Sequence, residues 1–348
     1  MKKISGFIFA LIFSSYSFMV CAQVSATYEE ENVSSPIQAV KPRLICGDDE
    51  RPIVVSGYMN YPPFGWKEKI GVQSSFGEDK SIYQYYGLGM LLFDKFAKES
   101  NLKYATANFL NYDEAKYALS RGYVDVLLGN YFEQKSYSNV NYFYPGYITN
   151  PIVIVSLKPK DGEKGPQSWD DLKGKKGFVR AEENLLDLIQ TQLPKETQIS
   201  TVNGARRAFQ ALLRKEVDFL LMSQLAYETE VRRFKIKEFV SYEKAALFSP
   251  TIFFSYASGS PCAQFIKNAF EAKLKEYTSD KQLIDSLMRS QIALWERKFI
   301  KEPSLIKQID MVIEEEKEEE TSDLDAWLAQ QAKAKEGSRE KSQTSVGI

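Results

Sequence analysis

Four rings crowd the stretch SGYMNYPPFGW, where Tyr58, Tyr61, Phe64 and Trp66 flank two consecutive prolines just after the short apolar segment PIVV. Aromatic faces stack on planar or apolar groups and attract cations, so such a cluster either fills a core or walls a binding site. The rest of the chemical repertoire is narrow. The 348 residues include no histidine, which removes Ser–His and Cys–His nucleophilic pairs, imidazole acid–base catalysis and every His-ligated metal site. Carboxylate pairs and lysine nucleophiles stay open, yet no close Asp/Glu constellation stands out as a catalytic pair. The residues point to binding without catalysis, cofactor or metal.

The elements that must position those rings are legible from pattern. Two prolines fix φ near −65° and withhold two backbone donors, so the chain leaves a sheet there and holds the rings at its edge. GLGMLLFDKFAKESNL sets Leu88, Leu91, Leu92, Phe96 and later Leu102 at helical spacing, while VDVLLG, NPIVIVSL, KGFV and VDFLLM are apolar runs of strand length. That alternation predicts an α/β protein with largely parallel sheets. The chain also echoes itself: ALSRGYVDVLL from Ala118 and ALLRKEVDFLL from Ala211 share seven residues at matching offsets, 93 positions apart. Each reads as helix end, tight connection and buried strand, so two lobes carry the same unit, with Asp125 and Asp218 as junction residues.

Composition bounds the function further. With 44% hydrophobic and 26% charged residues the chain can bury two domains of ordinary size. Its formal charge of −1, from 45 basic and 46 acidic residues, offers no net field to hold a polyanion and argues against nucleic acid as a partner. MKK followed by FIFALIF and then VCA before Gln23 reads as an export signal over residues 1–22, too short and too broken by Ser14, Ser15 and Ser17 to span a membrane. Its removal would take Cys21 and leave Cys46 and Cys262, which either bridge in an oxidising compartment or never meet. Residues 23–47 read as a polar leader, and residues 301–348 as a charged tail, partly disordered, with EEEKEEE as its extreme.

The order of segments resembles bacterial extracellular solute-binding proteins of family 3, the type-2 periplasmic binding fold of amino-acid receptors for ABC transporters. The likeness covers residues 52–297 and rests on the YPPF turn, GLGMLLFDKFAKESNLKY, RGYVDVLLGNY, NYFYPGYITNPIVIV, SWDDLKGKKGFV and ALLRKEVDFLLM in the family's order. It implies two α/β lobes, each a mostly parallel sheet flanked by helices and joined by two crossovers. Lobe one would comprise residues 48–148 and 250–300, and lobe two residues 149–249. The ligand would lie between the lobes and be buried by hinge closure. Tyr61, Phe64 and Trp66 would then form the lobe-one wall, with Gly129, Asn130 and Tyr131 at a strand end and Tyr147 beside the switch segment. Phe132 and Tyr144 belong to the same aromatic neighbourhood.

Three departures from the family bear on the ligand. Where amino-acid receptors carry an Arg that forks onto the ligand carboxylate, this chain has Ser136 or Tyr137, and Lys135 is the nearby cation. Where a Gly-Ser or Gly-Thr step opens a helix in lobe two, this chain has Arg180 followed by Glu182 and Glu183, whose charge repels an anion unless Arg180 compensates. Ser223 stands where an acidic residue would bind an ammonium group. The resemblance thus implies a periplasmic, monomeric receptor for a small polar or cationic solute, working with an inner-membrane ABC permease or a sensor. The alternative is a non-binding envelope scaffold with a degenerate cleft.

Overall fold

The first strand opens at Ile53, a short bend after Cys46. The computed structural model describes residues 46–75, 78–132, 137–160, 163–183, 185–243 and 246–310, so the export segment, most of the leader, Lys135 and the chain beyond Asp310 lie outside the described residues. The described residues belong to one compact unit, within which two sheets define two lobes.

Lobe one begins with β1 (Ile53–Ser56), β2 (Asn60–Tyr61) and a long hairpin of β3 (Gly65–Ser75) and β4 (Glu78–Tyr86). Helix α1 (Leu88–Glu99) follows at Gly87, whose φ of +107° and approach to Phe64 O admit no side chain. Its apolar face, Leu88, Leu92, Phe93 and Phe96, is buried, and Leu91 lies at the margin. Strand β5 (Tyr104–Thr106), helix α2 (Tyr112–Ser120) and β6 (Val126–Tyr131) complete the first unit. Asn111 caps α2 by accepting from Glu114 N, while Glu114 accepts from Leu110 N.

The chain passes through β7 (Val140–Tyr142) and β8 (Ile148–Thr149) into lobe two. There it forms β9 (Ile152–Leu157), β10 (Lys176–Arg180), α3 (Leu186–Ile189), β11 (Gln198–Val202), α4 (Ala205–Leu213), β12 (Phe219–Ser223), α5 (Gln224–Phe234) and β13 (Val240–Tyr242). It returns through β14 (Thr251–Ala257), α6 (Pro261–Ser279) and α7 (Lys281–Lys298).

The two sheets are built alike. Lobe one orders its strands β5-β1-β6-β14-β7, and lobe two β11-β10-β12-β9-β13. The first three in each are parallel, and the fourth, arriving from a crossover, is antiparallel. The sequence echo falls on α2–β6 and α4–β12, and both aspartates do one job. Asp125 N donates to Val54 O and its carboxylate accepts from Val54 N; Asp218 N donates to Lys176 O and its carboxylate accepts from Lys176 N.

Cys46 and Cys262 form a disulfide, with their Cα atoms 5.3 Å apart, which ties the start of lobe one to the first turn of α6. Past α7 the chain turns onto lobe two: Lys235 donates to Ile300 O and Glu302 O, and Arg206 of α4 pairs with Glu302 and bonds Gln308. Leu305 and Ile309 are buried there, although they lie within the stretch whose composition predicts a solvated tail. No helix among the described residues is long and apolar enough to cross a membrane.

Candidate functional site

Carboxyl ends of parallel strands are where open α/β sheets place their ligands. Four such ends converge between the lobes here: β1 leads into Tyr58 and Tyr61, β6 ends on Tyr131, β10 on Arg180 and β12 on Ser223. The space between them is filled by the chain's own groups. Tyr61 and Tyr131 share a hydroxyl bond of 2.9 Å, and Asn150, on the crossover, donates to both phenols. Across the seam, Ser223 Oγ donates to Asn150 Oδ1, and Ser223 N donates to Glu183 Oε2 at 2.9 Å. Tyr61 OH donates to that same Oε2 at 3.3 Å, and Arg180 NH2 to Asn60 O at 2.9 Å. Tyr61, Tyr131, Asn150, Glu183 and Ser223 are each fully buried, and Arg180 is 2% exposed.

The electrostatics of this seam are uneven. Arg180 stands 3.6 Å from Glu183 and 3.7 Å from Glu182, near enough to attract and too far to hydrogen-bond. Burial pushes the Glu183 carboxyl up to about 7, against the pull of Arg180 and the bond from Ser223 N. Glu230, buried beside Arg233 at 3.2 Å, is raised for the same first reason. Desolvation works against the Arg180 charge, but Glu183, Glu230 and Glu182 outweigh it. Burial also raises the Tyr61 phenol, and Glu183 raises it further, so it remains a donor at neutral pH.

Several candidate residues serve packing. Phe64 packs on Tyr61, and Tyr147 packs on Phe254 while its hydroxyl donates to Leu128 O. Trp66 lies apart from the seam, stacked on Tyr86 and edge-on to Trp295 of α7, with its Nε1 donating to Glu68; the hairpin that begins there turns the ring onto the returning helix. Gly129 is needed for close packing, since a Cβ would sit 2.7 Å from the Tyr58 ring and 2.9 Å from Tyr147 OH. Asn130 is buried, and its Oδ1 has no hydrogen-bond partner among the described residues. Phe132 and Tyr144 are more than half exposed. Tyr58, edge-on to Tyr61, stacks on Tyr112.

Open space lies beside this cluster. A pocket of about 420 Å³ is lined by Met59, Asn60, Leu110, Asn111, Tyr112 and Asp113 from lobe one, and by Ala181, Glu182 and Asn203 from lobe two. Among the described residues its lining holds two carboxylates, three side-chain amides and no cation. Glu182 spends one oxygen on Gly204 N, while its Oε2 is buried without a hydrogen-bond partner among the described residues. Sequence reasoning missed Asn150, Asn60, Asn111 and Asn203; only Asn111, preceding Glu114 by three residues, carried a signal, that of a helix cap.

No family model matches the chain, and no curated protein matches it. Solved structures do. An amino acid ABC transporter substrate-binding protein, AbpA from Streptococcus pneumoniae, bound to L-arginine, is 14% identical, with a TM-score of 0.54 over 70% of this chain and 95% of that one. The Bordetella pertussis BvgS periplasmic VFT2 domain is 15% identical, with a TM-score of 0.51 over 70% and 92%. The ancestral amino acid-binding protein AncCDT-1, a precursor of cyclohexadienyl dehydratase, is 21% identical, with a TM-score of 0.53 over 69% and 95%. At such identities the likeness concerns architecture: this chain has the two-lobed α/β fold of type-2 periplasmic binding proteins.

Proposed function

We propose that the chain is an exported binding protein that takes a small neutral or cationic polar solute in the pocket between Asn60, Asn111, Glu182 and Asn203, and serves a membrane transporter or sensor. The observation that carries this reading is the pocket itself, lined from both lobes beside the carboxyl ends of the strands. Its amides offer donors and acceptors to hydroxyl or amide groups, and its two carboxylates favour an ammonium or guanidinium group over a carboxylate. The export signal read in residues 1–22 and the transporter and sensor proteins of similar fold support an envelope setting.

The test is thermal unfolding of the chain against a library of polyamines, amino acids, sugars and peptides. A solute at a hundredfold its dissociation constant adds about 2.7 kcal/mol, a rise of roughly 5–10 °C for lobes of this size. Glu182→Gln keeps the bond to Gly204 N and removes the charge, so it is expected to weaken a cationic solute by about 10- to 100-fold, the worth of a charged hydrogen bond. A hit insensitive to Glu182→Gln would move the site elsewhere. The second reading, a scaffold that binds no solute, is favoured by the filled seam at Tyr61, Asn150, Glu183 and Ser223, and a flat response across the library would make it the better account.

A further inference from the structure

Lobe two carries a second pocket, outside the seam, of about 480 Å³ between α5 and the edge strand β13. Its apolar lining is Val231, Val240 and the edge-on pair Tyr227 and Tyr242, with ring centroids 4.9 Å apart. Its charged lining is Lys158, Arg232, Lys237 and Glu228. Glu228 is already engaged, accepting from Tyr242 OH and Gln224 Nε2 at 3.0 Å each. Lys158 faces Glu238 at 3.4 Å and Arg232 faces Glu296 at 3.2 Å, pairs exposed enough to be worth little. Lys237 has no carboxylate partner among the described residues. The pocket therefore presents cations to solvent over an apolar floor.

The same chain supplies a complementary segment. Residues 314–320 read EEEKEEE, six carboxylates and one amine. The described chain ends at Asp310 on lobe two, after Lys235, just past the end of α5, has bonded Ile300 O and Glu302 O. From Tyr227 to Lys235 is roughly 12 Å of helix, and residues 314–320 reach roughly 13–33 Å beyond Asp310 when extended. We propose that the acidic stretch 314–320 docks in its own chain's pocket at Lys158, Arg232 and Lys237, adding to or displacing Glu238 and Glu296 as their counter-charges. The seat would tie the C-terminal segment to lobe two and cover the edge of β13, an exposed strand edge being a template for unwanted pairing.

Carbodiimide cross-linking of the full chain at low concentration, mapped by mass spectrometry, tests the seat directly, because it joins only carboxylates and amines in contact. The expected product links Lys158 or Lys237 to a residue within 314–320 of the same chain, and falls at least fivefold at high salt or in Arg232→Glu, which leaves both reacting lysines in place. Hydrogen exchange supplies a second readout: with the six glutamates of 314–320 changed to Gln, amides of residues 227–242 should exchange at least fivefold faster. Links from 314–320 only to other lysines, only between chains, or none at all would overturn the proposal, as would unchanged exchange in the Gln variant.

Discussion

The two lobes share one plan and spend it differently. Asp125 and Asp218 occupy equivalent junctions and clasp equivalent strands, yet Asp125 is buried and also accepts from Ser260 Oγ at 2.6 Å, whereas Asp218 is exposed with Lys176 N as its partner. The walls that face each other diverge in the same manner. Lobe one presents neutral phenols, Tyr61 and Tyr131, while lobe two presents the Arg180 guanidinium and the carboxyl groups of Glu182 and Glu183. A repeated unit sets geometry, and the surroundings set how much each group is worth, because an unpaired polar group costs far more in a dry interior than at a wetted edge.

The comparison breaks most sharply at Arg180. Arg180→Ala leaves Glu183 and Glu230 buried without their cation, and a loss of about 3–5 kcal/mol is expected in urea unfolding. A loss below 1 kcal/mol would mean that water already serves those carboxylates. Next come the twin junctions: Asp125→Ala should cost about 3 kcal/mol and Asp218→Ala about 1 kcal/mol, since only the former strands buried donors. Equal losses would erase the distinction between lobes. Tyr61→Phe keeps the ring and removes its bonds to Tyr131, Asn150 and Glu183, for an expected loss of about 1–2 kcal/mol; an unchanged unfolding midpoint would show that these bonds add nothing.

A further effect is a slope with pH. The folded Glu183 carboxyl, at about 7, lies above its unfolded value, so its contribution is fully present below the ordinary carboxylate range and is lost as pH rises towards about 7. Glu230 acts in the same direction. Stability should thus decline between about pH 4.5 and 7, and Glu183→Gln should flatten that decline. An equal slope in the variant would assign it to other groups.

Much of this architecture was legible because it rests on local pattern. Helical spacing placed α1, apolar runs placed β6, β9, β10 and β12, and the echo of Ala118 and Ala211 anticipated twin junctions at Asp125 and Asp218. The site was legible in position more than in direction. The proline turn carries Tyr61 to the seam, but its hydroxyl is aimed by Asn150 and Glu183, which meet it only after both lobes have folded. Trp66 shares that turn and goes elsewhere, because its partner Trp295 lies on a helix formed near the far end of the chain. Glu183 was readable as a charge hostile to anions, not as an acceptor for Ser223 N. Asn150 sits before a proline in a crossover, where no periodicity marks a side chain for use.

The central claim is that the lobes are held together by the chain's own residues. Spin labels on Tyr117→Cys of α2 and Arg207→Cys of α4, both exposed and on opposite lobes, would report the interlobe distance by pulsed dipolar spectroscopy. Without any added solute the account predicts one narrow distance that broadens or lengthens when Arg180→Ala or Tyr61→Phe is introduced. A broad or long distance in the unmodified chain, narrowing only when a solute is added, would contradict it.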